Sequence, residues 1–199
     1  MKQKSERVRL MGTIIDLNIE HDSPESIMEE VIHQLKEYEQ RFSANDPSSE
    51  LMAVNKNAGI RPVTVHPQLY HLIKIGKQHS CHSASNLNIA IGPLVQSWRI
   101  GFDDANVPPD DTIKTMLKKT NPENISLDDE KQTVFLKEKG MAIDLGSLAK
   151  GYIADLVKEY LMNINVASAL INLGGNIVAL GPFQNSVKRY WNIGIQNPT

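Results

Sequence analysis

The chain has 199 residues, 41% of them hydrophobic and 22% charged, which suits an ordinary globular protein with one domain as the default. Its formal charge of -2, from 21 basic and 23 acidic side chains with no basic block, argues against a nucleic-acid or anionic-membrane partner. The one cysteine, Cys81, forbids an intrachain disulfide and fits a reducing compartment, and no stretch reaches the ~18 apolar residues of a membrane span. The start, MKQKSERVRLMG, has no apolar run behind its basic residues, so the expectation is a cytoplasmic protein with neither leader nor membrane anchor.

Residues 7–19, RVRLMGTIIDLNI, alternate between apolar and polar and are rich in β-branched side chains, which predicts a strand bent or bulged at Gly12. Ser23 as N-cap and Pro24 at the first helical position then open a helix. Its apolar residues Ile27, Met28, Val31, Ile32, Leu35, Tyr38 and Phe42 fall on one face. The tract FSANDPSSELMAVN, 42–55, is dense in side chains that compete for backbone hydrogen bonds. It predicts a loop leading into one helical turn at Leu51 and Met52. His66-Pro67 opens a second helix carrying Leu69, Leu72, Ile73 and Ile75 and ending near residue 83, and a third, weaker helix covers about 110–119.

From residue 124 the pattern becomes strand-like. ISL, TVFL and MAID, separated by DDEK and KEKG turns, predict a meander of three short strands. The segment LAKGYIADLVKEYLM, 148–162, has the clearest helical period in the chain. After it, SALINLGG and NIVALG predict two strands around Gly174-Gly175-Asn176, and YWNIGIQ, 190–196, predicts a closing strand. Strands and helices come in blocks rather than strict alternation, so the predicted class is α+β, with mostly antiparallel sheet and packed helices. The acidic, proline-rich stretch 103–111 is the best boundary candidate, yet no convincing linker interrupts the chain.

Two segments could carry chemistry. In AIDLGSLAKG, 142–151, Asp144 stands where a buried segment hands over to a helix. One reading is a cap on backbone N–H groups. The other is a ligand site. The glycines would let the backbone approach a ligand, the helix N-terminus and Lys150 would offer positive charge to phosphates, and Asp144 would accept hydrogen bonds from a base or hydroxyl. The order is not that of a P-loop, because Lys150 precedes Gly151.

The second segment is SASNLNIAIGPLVQSWRIGF, 83–102. It reads either as a turn and buried run with Pro93 opening a helix and Trp98 and Phe102 in the core, or as a site. In the latter, the amides of Asn86 and Asn88 would recognise a flavin or nucleobase edge. His79, Cys81 and His82 have a superficially metal-like spacing without a second pair to complete a site. The histidines are expected on an exposed helix side and Cys81 buried or half-buried. No Gly-x-Ser-x-Gly elbow occurs.

Five segments, in order, resemble the ApbE family of FAD:protein FMN transferases. They are LMGT at 10–13, FS…SSELMAVN at 42–55, LNIAIGPLVQSWRIGF at 87–102, AIDLGSLAKGYIAD at 142–155, and ALINLGGNIVALG with WNIGIQNP over 169–198. The resemblance implies a magnesium-dependent transfer of FMN from FAD onto a Thr or Ser hydroxyl of a partner flavoprotein, with AMP released. It also implies FAD contacts at Met11, Asn45, Asn86, Leu87, Asn88, Asp144 and Lys150, and a metal contact at Ser147; no catalytic residue is assigned.

The chain departs from the family pattern in three places. Leu87-Asn88-Ile89-Ala90 stands where Phe/Met-Asp-x-Thr is common before GPL, replacing a carboxylate by an amide and a hydroxyl by a methyl. Asn45 stands where an aromatic is frequent. The family's later His-His-Ile-Ile-Asp-Pro-like and Ala-Asp…Thr segments, the latter supplying magnesium ligands, are not in these 199 residues, so the expectation is an ApbE-like FAD-binding domain over 1–199, shortened at its C-terminus. Two other functions compete: an FAD-binding module or fragment without turnover, and an unrelated phosphate-binding α+β domain built around 142–151.

Overall fold

The computed structural model describes residues 2–183, 190–195 and 197. Its fold is α+β, with antiparallel sheets and packed helices. It divides into two compact units, one made of residues 1–37 with 150–199 and the other of residues 38–149.

The first unit is built on a four-stranded sheet in the order β1-β2-β6-β7, antiparallel throughout. β1 (Lys2–Leu10) and β2 (Thr13–His21) form a hairpin where the sequence pattern predicts one bent strand. The break at Gly12 is a chain reversal, because Met11 and Gly12 both take positive φ, 54° and 68°, as a two-residue primed turn requires. β6 (Ser168–Leu173) and β7 (Asn176–Leu180) form the second hairpin, with Gly174 and Gly175 supplying the positive φ values at the expected turn.

Strand alternation puts Ile15, Leu17 and Ile19 of β2 on one face, paired with Leu173, Ile171 and Ala169 of β6, and all six are buried. Helix α1 (Pro24–Phe42) contributes buried Ile27, Met28, Val31 and Leu35 to this unit, and α6 (Ala149–Asn163) contributes Ile153, Ala154, Val157 and Leu161. The strand predicted over 190–196 does not form over 190–195, and residue 196 lies outside the described residues.

The second unit holds a three-stranded sheet in the order β3-β5-β4, from β3 (Val63–Thr64), β4 (Ile125–Asp128) and β5 (Thr133–Leu136). Around it stand α2 (Glu50–Lys56), α3 (Pro67–Ser80), α4 (Gly92–Trp98) and α5 (Asp110–Leu117). α2 extends over seven residues, longer than the single turn predicted, because the buried Ser49 caps it: its Oγ accepts the Met52 N–H at 3.1 Å. MAID is not the third strand of a meander. The third strand of the sheet is β3, paired with β5, and residues 141–143 are a buried stretch outside any strand whose backbone finds other partners.

Phe102 is 43% exposed rather than in the core, lying under the Arg99 guanidinium at 4.6 Å, and Trp98 is half-buried. Cys81 is exposed, at the end of α3.

Candidate functional site

In the second unit, two of the segments singled out in the sequence run side by side. The Asp144 N–H donates to the Ile89 carbonyl at 2.9 Å, which sets the 141–147 segment against the 86–92 segment. Gly92 makes the approach possible, since a Cβ there would lie 2.6 Å from the Ala142 carbonyl oxygen.

Asn88 sits at the centre of this arrangement. Its Oδ1 accepts the Ala90 N–H at 2.9 Å and caps a single 3-10 turn over Ile89–Ile91 that leads into α4. Its Nδ2 donates to the Thr120 carbonyl at 2.8 Å, which closes the α4–α5 excursion back onto its starting point. Both ends of the amide are therefore occupied by backbone. Leu87 beside it is half-buried, with its N–H on Ser85 Oγ at 3.1 Å, and Asn86 is exposed.

Asp144 is half-buried, and its Oδ1 accepts the Gly146 N–H at 2.8 Å. The capping reading is thus realised in one hydrogen bond, which folds the turn carrying the exposed Ser147 immediately before α6. Asn45 is exposed on the loop between α1 and α2. Its N–H lies 3.2 Å from Ser43 Oγ, and in the same loop the N–H and hydroxyl of Ser48 hold the Asp46 carboxyl below the usual carboxylate range.

The sequence pattern misses two side chains that hold these segments. Asn55, near the end of α2, accepts the Ile143 N–H on Oδ1 at 2.8 Å and donates from Nδ2 to the Ile143 carbonyl at 3.0 Å. This amide takes the place of a neighbouring strand, which is why MAID has strand composition without a strand partner. Ser80 Oγ accepts the Ile89 N–H at 2.9 Å and donates to the Gly76 carbonyl at 2.6 Å. Asn55 closes the tract 42–55, and the amide at the end of an apolar helical patch is the one signal that could have drawn attention to it.

The first unit carries Met11 and Lys150. Met11 is half-buried in the β1–β2 turn, and Lys150 is half-buried in the first turn of α6. The Gly174-Gly175-Asn176 turn stands between them: a Cβ on Gly174 would meet the Thr13 side chain, and one on Gly151 would lie 3.7 Å from Asn176 Nδ2. Asn172 Oδ1 steadies that turn by accepting the Gly175 N–H at 2.7 Å. The residues predicted in this unit are thereby gathered at one end of its sheet, among glycines that leave the backbone bare.

A magnesium ion takes about six oxygen ligands, several of which are usually water or substrate phosphate. Among the described residues no group of three or more His, Cys, Asp or Glu is placed to hold a metal ion. Asp144 and Ser147 offer one carboxylate and one hydroxyl on the same turn, which is not a magnesium site by itself. Among the described residues no helix is long and apolar enough to cross a membrane.

The ApbE family model matches residues 11–199. A Klebsiella pneumoniae protein named FAD:protein FMN transferase is 42% identical over 190 residues, covering 95% of this chain and 57% of its own length. A Treponema pallidum protein of the same name is 34% identical, covering all of this chain and 59% of its own length. The chain thus spans a little over half of these curated relatives. Among solved structures, the ApbE protein from Thermotoga maritima superposes with a TM-score of 0.89 at 25% identity, covering 99% of this chain and 64% of that one. The flavin transferase ApbE from Vibrio cholerae gives 0.86 at 23% identity, a likeness of fold, over 99% and 64% of the two chains. With a family match from the first hairpin turn to the last residue, the chain belongs to the ApbE family.

Proposed function

We propose that this chain is the flavin-nucleotide-binding part of a transferase that moves FMN from FAD onto a Thr or Ser hydroxyl of an acceptor flavoprotein and releases AMP. The observation that carries the proposal is the hydrogen bond from Asp144 N–H to the Ile89 carbonyl, which joins the Asn86–Asn88 and Asp144–Ser147 segments into one locus. The names of the relatives support the same reading.

In the reaction, the acceptor hydroxyl oxygen forms a new bond to the FMN phosphorus, the bridging P–O bond of the pyrophosphate breaks, and AMP departs with the bridging oxygen. The hydroxyl proton passes to a base that is not assigned. The protein's part is positioning and charge neutralisation. Asp144 accepts from the nucleotide, Lys150 supplies positive charge for the phosphates, and Met11, Asn45, Asn86, Leu87 and Asn88 supply the remaining contacts. The magnesium ion that the resemblance implies belongs to the proposal with Ser147 as its contact, and no step is drawn through it because the described residues do not complete its shell. The proposed setting is cytoplasmic.

The second reading is an FAD-binding module or fragment without turnover. Incubation of the chain with FAD, Mg²⁺ and a Thr-containing acceptor peptide, followed by intact-mass measurement, separates the two. A mass gain of one FMN on the peptide supports the transferase. FAD binding without an adduct supports the module, and tight binding of another nucleotide with none of FAD overturns both.

A further inference from the structure

We infer that Asn55 is a positioning residue of the flavin-nucleotide site, acting through Asp144. The inference rests on the function proposed above. Asn55 is half-buried, 88 positions away in sequence, and its carboxamide engages both backbone groups of Ile143, a residue that is itself fully buried. A carboxamide that accepts from one peptide and donates to the next fixes the two peptide groups flanking the residue between them, because the donor and acceptor must both reach their partners.

The second of these peptides joins Ile143 to Asp144. From it the hydrogen-bonded path continues through Asp144 N–H to the Ile89 carbonyl, and through Ile89 N–H to Ser80 Oγ and the Gly76 carbonyl of α3. The segments bearing Asp144 and Asn88 are thus suspended between α2 and α3, by Asn55 on one side and Ser80 on the other. The Ser80 bond is single and holds a segment that Asn88 also caps and ties to Thr120. At Ile143 the two Asn55 bonds are the polar link from α2, so the aim of the Asp144 carboxylate depends on them more than that of Asn88 depends on Ser80.

The test is FAD titration by calorimetry into the full chain and into Asn55→Ala, Asp144→Asn and the double variant, each confirmed folded by circular dichroism. Loss of the alignment weakens FAD binding in Asn55→Ala by about tenfold, the ratio that about 1.4 kcal/mol produces. The double variant binds as Asp144→Asn alone, within about twofold, since residues acting through one group do not add. A residue that serves stability alone would leave the affinity of the folded protein unchanged or would multiply with Asp144→Asn, and either result overturns the inference.

Asn55→Asp keeps the size and the acceptor but faces the Ile143 carbonyl with an oxygen, and it serves if the alanine variant does not fold. It too must weaken FAD binding, and unchanged affinity in this variant overturns the inference. Absence of FAD binding by the unaltered chain overturns the proposed function and the role of Asn55 together, whereas normal binding in the chain and in the Asn55 variants overturns the role alone.

Discussion

Replacing Gly92 by alanine tests the close approach on which the candidate site is built. The added Cβ would lie 2.6 Å from the Ala142 carbonyl oxygen and 2.8 Å from its carbonyl carbon and Cβ, two of the three being backbone atoms that cannot rotate away. Non-bonded heavy atoms settle near 3.5–4 Å, so the two segments must part by roughly 1 Å, at a cost of about 1–3 kcal/mol for overpacking. Opposing this, alanine recovers up to about 1 kcal/mol in helix propensity and lost unfolded-state freedom. The net expectation is a destabilisation of about 1–2 kcal/mol, or about 2–8 °C in Tm for a chain of this size. Parting the segments also stretches the Asp144 N–H to Ile89 bond, so FAD affinity falls with stability.

Gly151→Ala is the matched control. Its Cβ meets only the Asn176 amide of β7, at 3.7 and 3.9 Å, which is ordinary contact, so the propensity gain of about 0.5–1 kcal/mol in α6 stands unopposed. Urea unfolding followed by circular dichroism measures both. A Gly92→Ala chain as stable as the parent, or a Gly151→Ala chain that falls equally, would refute the reasoning.

Ser49→Ala removes the α2 cap at Met52 and the 2.5 Å bond to the Ser43 carbonyl, with an expected loss of about 1–2 kcal/mol in chemical unfolding. Gly174→Ala combines a clash with Thr13 and a non-glycine side chain at φ 61°. Its loss of about 2 kcal/mol or more is partly recovered in the double variant with Thr13→Ala, which isolates the backbone share. Burial, and then the hydrogen bond to Asp129, push the Tyr70 hydroxyl up to about 12 from its ordinary 10.0. Between these values the unfolded chain has lost a proton that the native chain keeps, so stability declines as pH rises through this window, and Tyr70→Phe flattens the decline in urea midpoints taken from about pH 9 to 11.

Long helices were legible because their periodicity is strong and their ends are marked. Pro24 opens α1, His66-Pro67 opens α3, and α6 begins one residue from the predicted start. The β6–β7 hairpin was legible through Gly174-Gly175, whereas the β1–β2 hairpin was not, because its turn is Met11-Gly12 and a methionine with positive φ leaves no compositional mark. MAID misled for a related reason. Its apolar run reports burial correctly, but a side-chain amide rather than a strand satisfies its backbone at Ile143, and nothing local distinguishes the two. Among the candidate residues, Asp144 and Asn88 in one unit and Lys150 in the other could be named from the resemblance, while Asn55 and Ser80, which hold the Asp144 and Asn88 segments in place, act through backbone partners that only the folded chain brings near.

The separation in sequence between Asn55 and Ile143 has a consequence for how the binding locus comes into being. During synthesis the chain must extend past Ile143 before the Asn55 amide meets its partner, so this amide emerges long before the backbone it holds. Loop closure over such a span grows only logarithmically in entropy, which makes the contact affordable, but it is still among the contacts that slow-folding topologies complete late. A peptide spanning residues 142–151 carries every side chain of the motif and its local Asp144–Gly146 bond, but not the Asn55 and Ile89 partners that place it in the fold. On the proposed function, seating a nucleotide is a property of chain topology rather than of any one segment.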